Sequence, residues 1–271
     1  MDVLVWLLVT GAVAGMLGAM VGVGGGFIAV PIMTMFLGLS PQLIVGTSLT
    51  MTFFTALSSL LFLWKQRRID LQTGWKFAAA TVPGAVLGSQ AASFFSDRGF
   101  QTAFGCLMLA VSLLMWYRKG SDGSYRGEGA EEKPERRGGV TRVIVDAEGI
   151  EFRYRFNLLL GIGFSLGVGF ISSIMGIGGG IIHVPLLVLV LGFPPHLAAS
   201  TSLFVLGWSS LVGSVTHFLL GHTDPGCAAA LALGGLLGAQ VGIRIASRLP
   251  GELIVKVFSL MMAAVGLRLI V

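Results

Sequence analysis

An internal duplication restricts the fold of this chain more than any other feature of its sequence. Residues 22–49 align without a gap on residues 176–203, and 14 of the 28 paired positions are identical. A second block at residues 87–90 matches residues 237–240. Such self-similarity indicates one structural unit that occurs twice. The sequence therefore predicts a first repeat, a hydrophilic linker and a second repeat, at residues 1–118, 119–154 and 155–271.

Each repeat consists mainly of apolar stretches that are long enough to cross a bilayer. Hydrophobic residues make up 54% of the chain and charged residues only 11%, whereas soluble domains carry about 25% charged residues. A helical span needs about 20 apolar residues, and these stretches are continuous rather than alternating, which favours helices over a barrel. The first repeat has them at Val3–Met20, Leu43–Trp64, Gly74–Phe95 and Gly99–Tyr117. We expect an all-α, multi-pass integral membrane protein.

The distribution of basic residues predicts how the repeats are oriented. Lys65, Arg67 and Arg68 follow a span of the first repeat, but the matching loop of the second repeat, residues 221–225, contains no Lys or Arg. Because basic residues favour the cytoplasmic side, this shift indicates two inverted repeats, each with an odd number of crossings that includes the short segment 27–37. The linker is then cytoplasmic. The alternative is a parallel arrangement in which that short segment is re-entrant, with eight rather than ten membrane-crossing segments in total.

The linker has two parts with different predicted structures. Residues 120–137 are rich in Gly, Glu and Arg, a composition typical of disordered segments. Residues 143–145 and 150–152 are interpreted as two short strands around a turn at residues 146–149. This pattern predicts a small β-hairpin outside the membrane, although an isolated hairpin is only marginally stable unless it packs on another element.

Several functions are not supported by the sequence. The phosphate-binding loop of ATPases is missing, and no arrangement of catalytic side chains occurs within the apolar stretches, so an enzyme is not expected. Cys106 and Cys227 lie in separate apolar segments without neighbouring His or Cys, so no disulfide, metal site or cofactor is predicted. Half of the 18 Lys and Arg residues lie between Arg118 and Arg155, among acidic residues. That distribution indicates a solvated linker rather than a surface for nucleic acid.

Both repeats interrupt their apolar sequence with a run of glycines, and these runs are the main candidates for a binding site. A helix that restarts after such a run presents unpaired N–H groups and the positive end of its dipole, which favour an anion. Two such ends, one from each repeat, could converge on one site. The alternative interpretation is that the glycines only permit close helix packing. The candidate residues are Gly24, Gly25 and Gly26 in the first repeat and Gly178, Gly179 and Gly180 in the second.

Polar side chains inside the apolar stretches supply further candidates. Hydroxyl and amide groups can donate hydrogen bonds to an anion, but in membrane helices they also bond to carbonyl groups or hold two helices together. The repeated candidates are Thr47, Ser48 and Gln90, matched by Thr201, Ser202 and Gln240. His183 replaces Ala29 of the other repeat. It is interpreted either as a proton carrier or substrate contact, or as a packing residue.

The duplicated motifs also carry a resemblance to a known family. They are the glycine runs, the prolines that follow them, the Thr-Ser-Leu sequences and the Gly-x-x-x-Gly segments, at Gly22–Gly26, Pro31, Gly46–Leu49, Gly84–Gly88, Gly176–Gly180, Pro185, Ser200–Leu203 and Gly234–Gly238. In these motifs the chain resembles the sulfite exporter family of the TauE/SafE type, over nearly its whole length apart from the linker. The resemblance implies a carrier of a bacterial or archaeal plasma membrane, linked to export of sulfite, sulfoacetate or a related sulfur compound.

A small sulfur-containing anion fits the predicted site. Sulfite and sulfonates carry three acceptor oxygens, which N–H and O–H groups can surround. A membrane potential that is negative inside favours export of an anion by about 2.3 kcal/mol per charge per 100 mV. The alternatives are a permease for another anion or a small organic solute, with uptake coupled to H⁺ or Na⁺, and a membrane protein that only binds a partner. A homodimer in the lipid bilayer is compatible with each of them.

Overall fold

The computed structural model describes residues 2–94, 96–116, 139–246 and 251–270, and within these ranges the chain forms ten α-helices, a 3₁₀ turn and one two-stranded sheet. The first repeat contains α1 Asp2–Val21, α2 Gly26–Phe36, α3 Pro41–Gln66, α4 Leu71–Ala91, the 3₁₀ turn Ala92–Phe94 and α5 Asp97–Trp116. The second repeat contains α6 Leu158–Met175, α7 Gly180–Leu189, α8 Pro195–Leu219, α9 Pro225–Ala246 and α10 Gly251–Ile270. The strands are β1 Gly139–Val145 and β2 Glu151–Asn157. The disorder predicted for residues 120–137 lies outside the described residues.

The helices have the lengths and composition of membrane spans. In the described part of the chain, six helices are long and apolar enough to cross a bilayer, namely α1, α3, α5, α6, α8 and α9. Helices α2 and α7 have 11 and 10 residues, fewer than the roughly 20 that a span requires. The protein is therefore a helical, multi-pass membrane protein in which each repeat carries one short helix directly after a glycine run.

Glycine breaks separate α1 from α2 and α6 from α7, because these residues adopt conformations that other residues avoid. The φ angle is +83° at Gly22 and +79° at Gly24, and it is +73° at Gly176 and +69° at Gly178. Left-handed backbone of this kind costs other L-residues roughly 1–2 kcal/mol each, whereas glycine adopts it readily. The chain therefore ends one helix at the first glycine of each run and starts a short helix a few residues later.

Helices α3 and α8, which the repeat alignment equates, pack antiparallel. At one end of the α3–α8 pair, the backbone N–H of Asp224 donates to Thr47 Oγ1 over 3.2 Å. At the other end, the N–H of Asp70 donates to Thr201 Oγ1 over 3.1 Å. The repeat alignment exchanges these two bonds, since Thr47 corresponds to Thr201 and Asp70 to Asp224. The start of each of these two helices therefore lies beside the end of the other.

Other contacts between helices of the two repeats also occur as equivalent pairs. Helix α1 packs on α9, and its counterpart α6 packs on α4. Gly15 lies so close to Gly235, and Gly84 so close to Leu166, that a β-carbon on Gly15 or Gly84 would collide with the backbone of the neighbouring helix. Small residues at such contacts let helices approach closely, which is the main source of packing energy within a membrane. The Gly-x-x-x-Gly segments thus hold the two repeats together.

The two-stranded sheet packs on the ends of the helices. Strand β1 pairs antiparallel with β2, and Ile144 stands opposite Phe152. The Tyr154 hydroxyl donates to Asp70 Oδ2 over 2.7 Å, and the Tyr154 and Phe193 rings lie 4.4 Å apart. The sheet therefore contacts the α3–α4 loop of one repeat and the α7–α8 loop of the other, which gives two strands the support that they lack in isolation.

An ion pair fixes the turn of this sheet to the end of α3. Arg68 Nε and Nη2 donate to Asp146 Oδ2 over 3.0 and 2.9 Å, and the Ala147 N–H donates to Gln66 O over 3.0 Å. The other carboxylate oxygen of Asp146 accepts the Ile150 N–H. Burial raises the pKa of Asp146, but the hydrogen bonds from Ile150 and Arg68 outweigh burial and leave this pKa below its ordinary value of 3.8.

This ion pair predicts that the sheet stays attached at neutral pH and detaches in acid. Because the pKa of Asp146 is lowered in the folded protein, its contribution to stability is fully present above pH 3.8 and is lost as the pH falls through the lower, folded-state value. At pH 7, Asp146→Asn should reproduce that loss, because an amide cannot form the ion pair with Arg68. We expect trypsin to cleave this variant faster than the wild type at Arg142 and Arg153.

Glu148 provides the matched control for this experiment. Its carboxylate lies 3.4 Å from the Arg68 guanidinium but its side chain is 69% exposed, and exposed ion pairs contribute little to stability. Glu148→Gln should therefore be cleaved at the wild-type rate. Equal cleavage of Asp146→Asn and the wild type would show that the ion pair does not hold the sheet.

Candidate functional site

The two glycine breaks lie against each other. A β-carbon on Gly26 would lie 2.6 Å from Gly176 O, and a β-carbon on Gly180 would lie 2.5 Å from Val23 Cα. Both neighbours are backbone atoms of the opposite repeat, so these positions leave no room for a side chain. The structure thus brings the two predicted glycine runs together at the interface of the repeats.

One threonine and one leucine lie between the two breaks. A β-carbon on Gly24 would lie 2.7 Å from Thr52 Cγ2 and 3.1 Å from Leu206 Cδ1, and one on Gly178 would lie 2.5 Å from Thr52 Cγ2 and 3.2 Å from Leu206 Cγ. Thr52 and Leu206 are themselves equivalent positions of the repeats. The two breaks therefore meet beside a pair of equivalent side chains of which only one is polar.

Several hydroxyl groups on the helices that flank or contact the breaks are buried without a partner among the described residues. Thr52, Ser172, Ser202 and Ser210 are each 0% exposed, and their oxygens have no hydrogen-bond partner among the described residues. Ser210 Oγ would lie 2.7 Å from a β-carbon on Gly178. A buried hydroxyl without a partner costs about 1–3 kcal/mol, so these groups are available to a polar ligand that enters the protein.

The starts of the two short helices lie beside these hydroxyls. Helix α2 begins at Gly26 and α7 begins at Gly180. The first N–H groups of a helix lack carbonyl partners inside that helix, and here those of Ile28 and Ile182 bond to Gly25 O and Gly179 O over 3.1 Å. A β-carbon on Gly26 would lie 3.0 Å from Thr52 Oγ1, so the start of α2 faces this hydroxyl. The other predicted glycines pack nearby, Gly25 against Ala14 and Gly179 against Ser172. These groups concentrate hydrogen-bond donors, and none of the described side chains named here is charged.

The predicted Thr-Ser pairs connect the two repeats. Thr47 and Thr201 accept backbone N–H groups from a loop of the opposite repeat, as described above. Ser48 Oγ donates to Gly176 O over 2.8 Å and so binds the last turn before the second glycine break. Ser202 differs, because its hydroxyl has no partner within the described ranges. Of these four residues, Ser202 alone retains an uncommitted oxygen.

Loss of either threonine hydroxyl should destabilise the protein. In Thr47→Val or Thr201→Val, the N–H of Asp224 or Asp70 loses its acceptor, at a cost of about 1–3 kcal/mol each. We expect a lower melting temperature in detergent for both valine variants, whereas serine at the same position keeps the acceptor and should restore most of the loss. Reduced transport at an unchanged melting temperature would contradict this structural role and favour the ligand role predicted from the sequence.

The other predicted side chains lie apart from the meeting point of the breaks. Gln240 Nε2 donates to Ser58 O and Oγ over 2.6 and 2.8 Å, and so connects α9 to α3. Gln90 is exposed near the end of α4. His183 is 1% exposed and lies 3.3 Å from Ser165 Oγ. The described contacts of these three side chains do not include Thr52.

Thr52, Ser172 and Ser210 are not among the predicted site residues, because the prediction favoured residues that both repeats share. Thr52 aligns with Leu206, Ser172 with Gly18 and Ser210 with Ala56. A usable signal was present for Thr52, which lies one turn after Ser48 on the same helical face. These three hydroxyls therefore lie at positions where the two repeats have diverged.

Polar groups continue from the breaks toward both ends of the molecule. On one side, a cavity of about 60 Å³ is lined by Arg68, His196 and Ser200, at the end where α3 finishes. On the other side, His217 Nε2 lies 3.1 Å from Ser173 O, and the His217 and His222 rings lie 5.6 Å apart. Within the described residues, no group of three or more His, Cys, Asp or Glu side chains could hold a metal ion.

Comparison with known proteins identifies the family. The sequence profile described as "Sulfite exporter TauE/SafE" matches residues 7–269. The chain belongs to the sulfite exporter TauE/SafE family. It is a membrane transporter of this family, which agrees with the duplicated glycine breaks and the apolar helices described above. No solved structure matches the chain.

Relatives in this family cover the chain to different extents. "Probable membrane transporter protein YunE" of Bacillus subtilis strain 168 is 32% identical over 273 residues, which span 97% of this chain and 96% of the relative. A "Probable membrane transporter protein" of Xylella fastidiosa strain Temecula1 is 25% identical over 265 residues, 96% of this chain and 92% of the relative. "Sulfite exporter TauE/SafE family protein 1" of Arabidopsis thaliana is 34% identical over 80 residues, 30% of this chain and 18% of the relative.

Proposed function

We propose that the protein is a secondary transporter that exports a small sulfur-containing anion, such as sulfite, sulfoacetate or another organosulfonate, through the meeting point of the two glycine breaks. The observation that carries this proposal is the buried Thr52 hydroxyl, which has no partner among the described residues and faces the start of α2. A compact anion with three acceptor oxygens fits several hydroxyl and N–H donors. A helix N-terminus adds a favourable dipole for negative charge.

We further propose that the repeats are inverted in the plasma membrane. Antiparallel packing of α3 on α8 supports this orientation, because two spans that the repeat alignment equates then cross in opposite directions. Basic residues support it as well. Lys65 and Arg68 lie near the end of α3, whereas the equivalent positions are Leu219 and His222. By the preference of Lys and Arg for the cytoplasm, the end of α3 and the linker are cytoplasmic.

This orientation suggests the direction of the transport path. An anion would approach from the cytoplasm at the cavity lined by Arg68, His196 and Ser200, and would pass the hydroxyls at Thr52 and Ser210. It would leave beside Ser173 and His217. With a membrane potential that is negative inside, each exported negative charge gains about 2.3 kcal/mol per 100 mV, so export needs no coupled ion.

A second candidate function is uptake of another anion or a small organic solute, coupled to H⁺ or Na⁺. The observation that favours it is the pair formed by the buried His217 and the partly exposed His222, each with an Nδ1 that lacks a partner in the part of the chain that the structure describes. A histidine in such a position can carry a proton. Uptake against the membrane potential would require this coupling.

The test is anion flux in vesicles that contain the purified protein. Sulfite, sulfoacetate, taurine, thiosulfate and sulfate are supplied one at a time, and a potassium gradient with valinomycin sets the membrane potential. Export should occur for one or more sulfur anions, should increase with the potential and should not need a gradient of H⁺ or Na⁺. A strict need for one of these gradients would favour the second candidate. No flux of any of the five compounds would overturn the sulfur-anion assignment.

A further inference from the structure

A groove between α3 and α9 opens on the outside of the helix bundle. It encloses about 560 Å³, and its apolar walls are formed by Leu57, Leu61 and Phe62 of α3 and by Leu236 of α9. Leu61 is 65% exposed, so the groove faces the surroundings of the protein and not the site between the glycine breaks. We refer to this feature as the α3–α9 groove.

Two cations line one end of the α3–α9 groove. Lys65 lies in the last turn of α3 and Arg244 in the last turn of α9, and both line the cavity. The Arg244 guanidinium lies 5.9 Å from the centre of the Phe62 ring, and Nη1 donates to Gln240 O over 2.9 Å. These contacts keep its positive charge at the groove. Among the described residues that line the groove, none is acidic.

The polar groups deeper in the groove already bond to each other. Ser58 Oγ donates to Leu236 O over 2.8 Å, and Gln240 Nε2 donates to Ser58 O and Oγ. The rest of the groove therefore presents mostly hydrocarbon, with charge at one end only. An occupant that matches this distribution has an anionic group at one end and a long apolar chain at the other.

The internal repeat supplies a natural comparison. The position in α8 that is equivalent to Lys65 holds Leu219. The position equivalent to Arg244 lies in the 3₁₀ turn after α4 and holds Phe94. Leu219 is 79% exposed and Phe94 is 89% exposed, so these positions also face outward but carry no charge. Of the two equivalent surfaces that the duplication produces, only the one at the α3–α9 groove thus carries these two cations. Trp64, beside Lys65, is 61% exposed, as expected of a residue at a membrane interface.

We propose that the α3–α9 groove binds an anionic phospholipid, whose phosphate lies between Lys65 and Arg244 and whose acyl chain lies along Leu57, Leu61 and Leu236. Charge complementarity favours this occupant over a zwitterionic lipid, because basic pockets between membrane helices on the cytoplasmic side bind anionic headgroups. The bound lipid connects α3, which carries Thr52, to α9 of the other repeat. The site is separate from the proposed transport path.

Native mass spectrometry of the full chain in detergent tests this proposal. The protein is mixed with equal amounts of palmitoyl-oleoyl phosphatidylglycerol and phosphatidylcholine. The wild type should retain phosphatidylglycerol in preference to phosphatidylcholine. In the double variant Lys65→Gln/Arg244→Gln, the preference for phosphatidylglycerol should fall by about fivefold for each lost cation, which is about 25-fold in total. Lys256→Gln/Arg268→Gln removes two exposed cations of α10 and should keep the wild-type preference.

A second variant tests the groove while both cations remain. Leu61→Trp changes an exposed wall residue and should block the acyl chain, so bound phosphatidylglycerol should decrease without a change in net charge. The proposal is overturned if the wild type shows no preference, if the α10 control loses as much as the groove variant, or if Leu61→Trp binds phosphatidylglycerol as the wild type does. Displacement of the lipid by soluble glycerol phosphate at equal concentration would also overturn it, since the acyl chain would then contribute nothing.

Discussion

Gly180→Ala is expected to abolish transport and to lower the melting temperature of the protein. A β-carbon at this position would lie 2.5 Å from Val23 Cα and 2.8 Å from Val23 C and from Leu206 Cδ1. The first two atoms belong to the backbone of the opposite glycine break and cannot rotate away. Overpacking of this kind costs typically about 1–3 kcal/mol, and the two breaks must separate to relieve it. We expect anion flux in vesicles to fall by at least about tenfold, which corresponds to 1.4 kcal/mol in the barrier.

The same substitution at Gly163 provides the matched control. Gly163 lies in α6 of the same repeat, and a β-carbon there would have no neighbour within 4 Å. Gly163→Ala should keep wild-type flux and melting temperature. Gly26→Ala should behave as Gly180→Ala does, because its β-carbon would lie 2.6 Å from Gly176 O. Wild-type flux in both Gly26→Ala and Gly180→Ala would show that the contact between the breaks is not needed for transport.

Thr52→Val should reduce transport by about tenfold or more while the protein stays folded. Valine has nearly the shape of threonine, so the packing between Gly24 and Gly178 is retained. The lost hydroxyl is fully buried and has no partner in the described part of the chain. Removal of such a group is neutral or stabilising for the fold, whereas an anion that accepted its hydrogen bond loses a donor. Flux and the melting temperature are measured on the same preparation.

Thr55 is the control for this prediction. It lies one turn later on α3 and is equally buried, but its hydroxyl donates to Met51 O over 3.0 Å. A hydroxyl that bonds within its own helix contributes little to a ligand site, so Thr55→Val should transport at the wild-type rate. Equal flux in Thr52→Val, Thr55→Val and the wild type would remove Thr52 from the site and leave Ser172, Ser202 and Ser210 as the hydroxyl donors to examine.

The two predictions distinguish an effect on the stability of the fold from an effect on anion binding, both at the contact between the two glycine breaks. Gly180→Ala changes the distance between the breaks, so it should alter stability and flux together. Thr52→Val leaves that distance unchanged and should alter flux alone. If both variants lost stability to the same extent, Thr52 would be a packing residue and the proposed site would lack its central donor.

Much of the fold follows from the sequence because helices and breaks depend on local properties. Continuous apolar stretches of about 20 residues specify membrane helices, and glycine runs such as Gly22–Gly26 specify where a helix ends. The duplication then indicates that both repeats contain the same glycine break. The role of Asp70 and Asp224 at helix ends also follows locally, since each carboxylate accepts an N–H three residues further along the chain.

The tertiary structure decided which polar groups have partners. Thr47 and Thr201 accept backbone N–H groups from loops of the opposite repeat, and Gln240 bonds to Ser58. The sequence pattern of these three residues is nevertheless the one expected of residues that bind a ligand. Thr52 breaks the duplication, yet the fold places it between both breaks without a partner. These assignments depend on contacts between segments more than 100 positions apart. Local periodicity specifies helices and their ends, but it contains no information on which hydroxyl another helix will bond, and that information decides where an anion can bind.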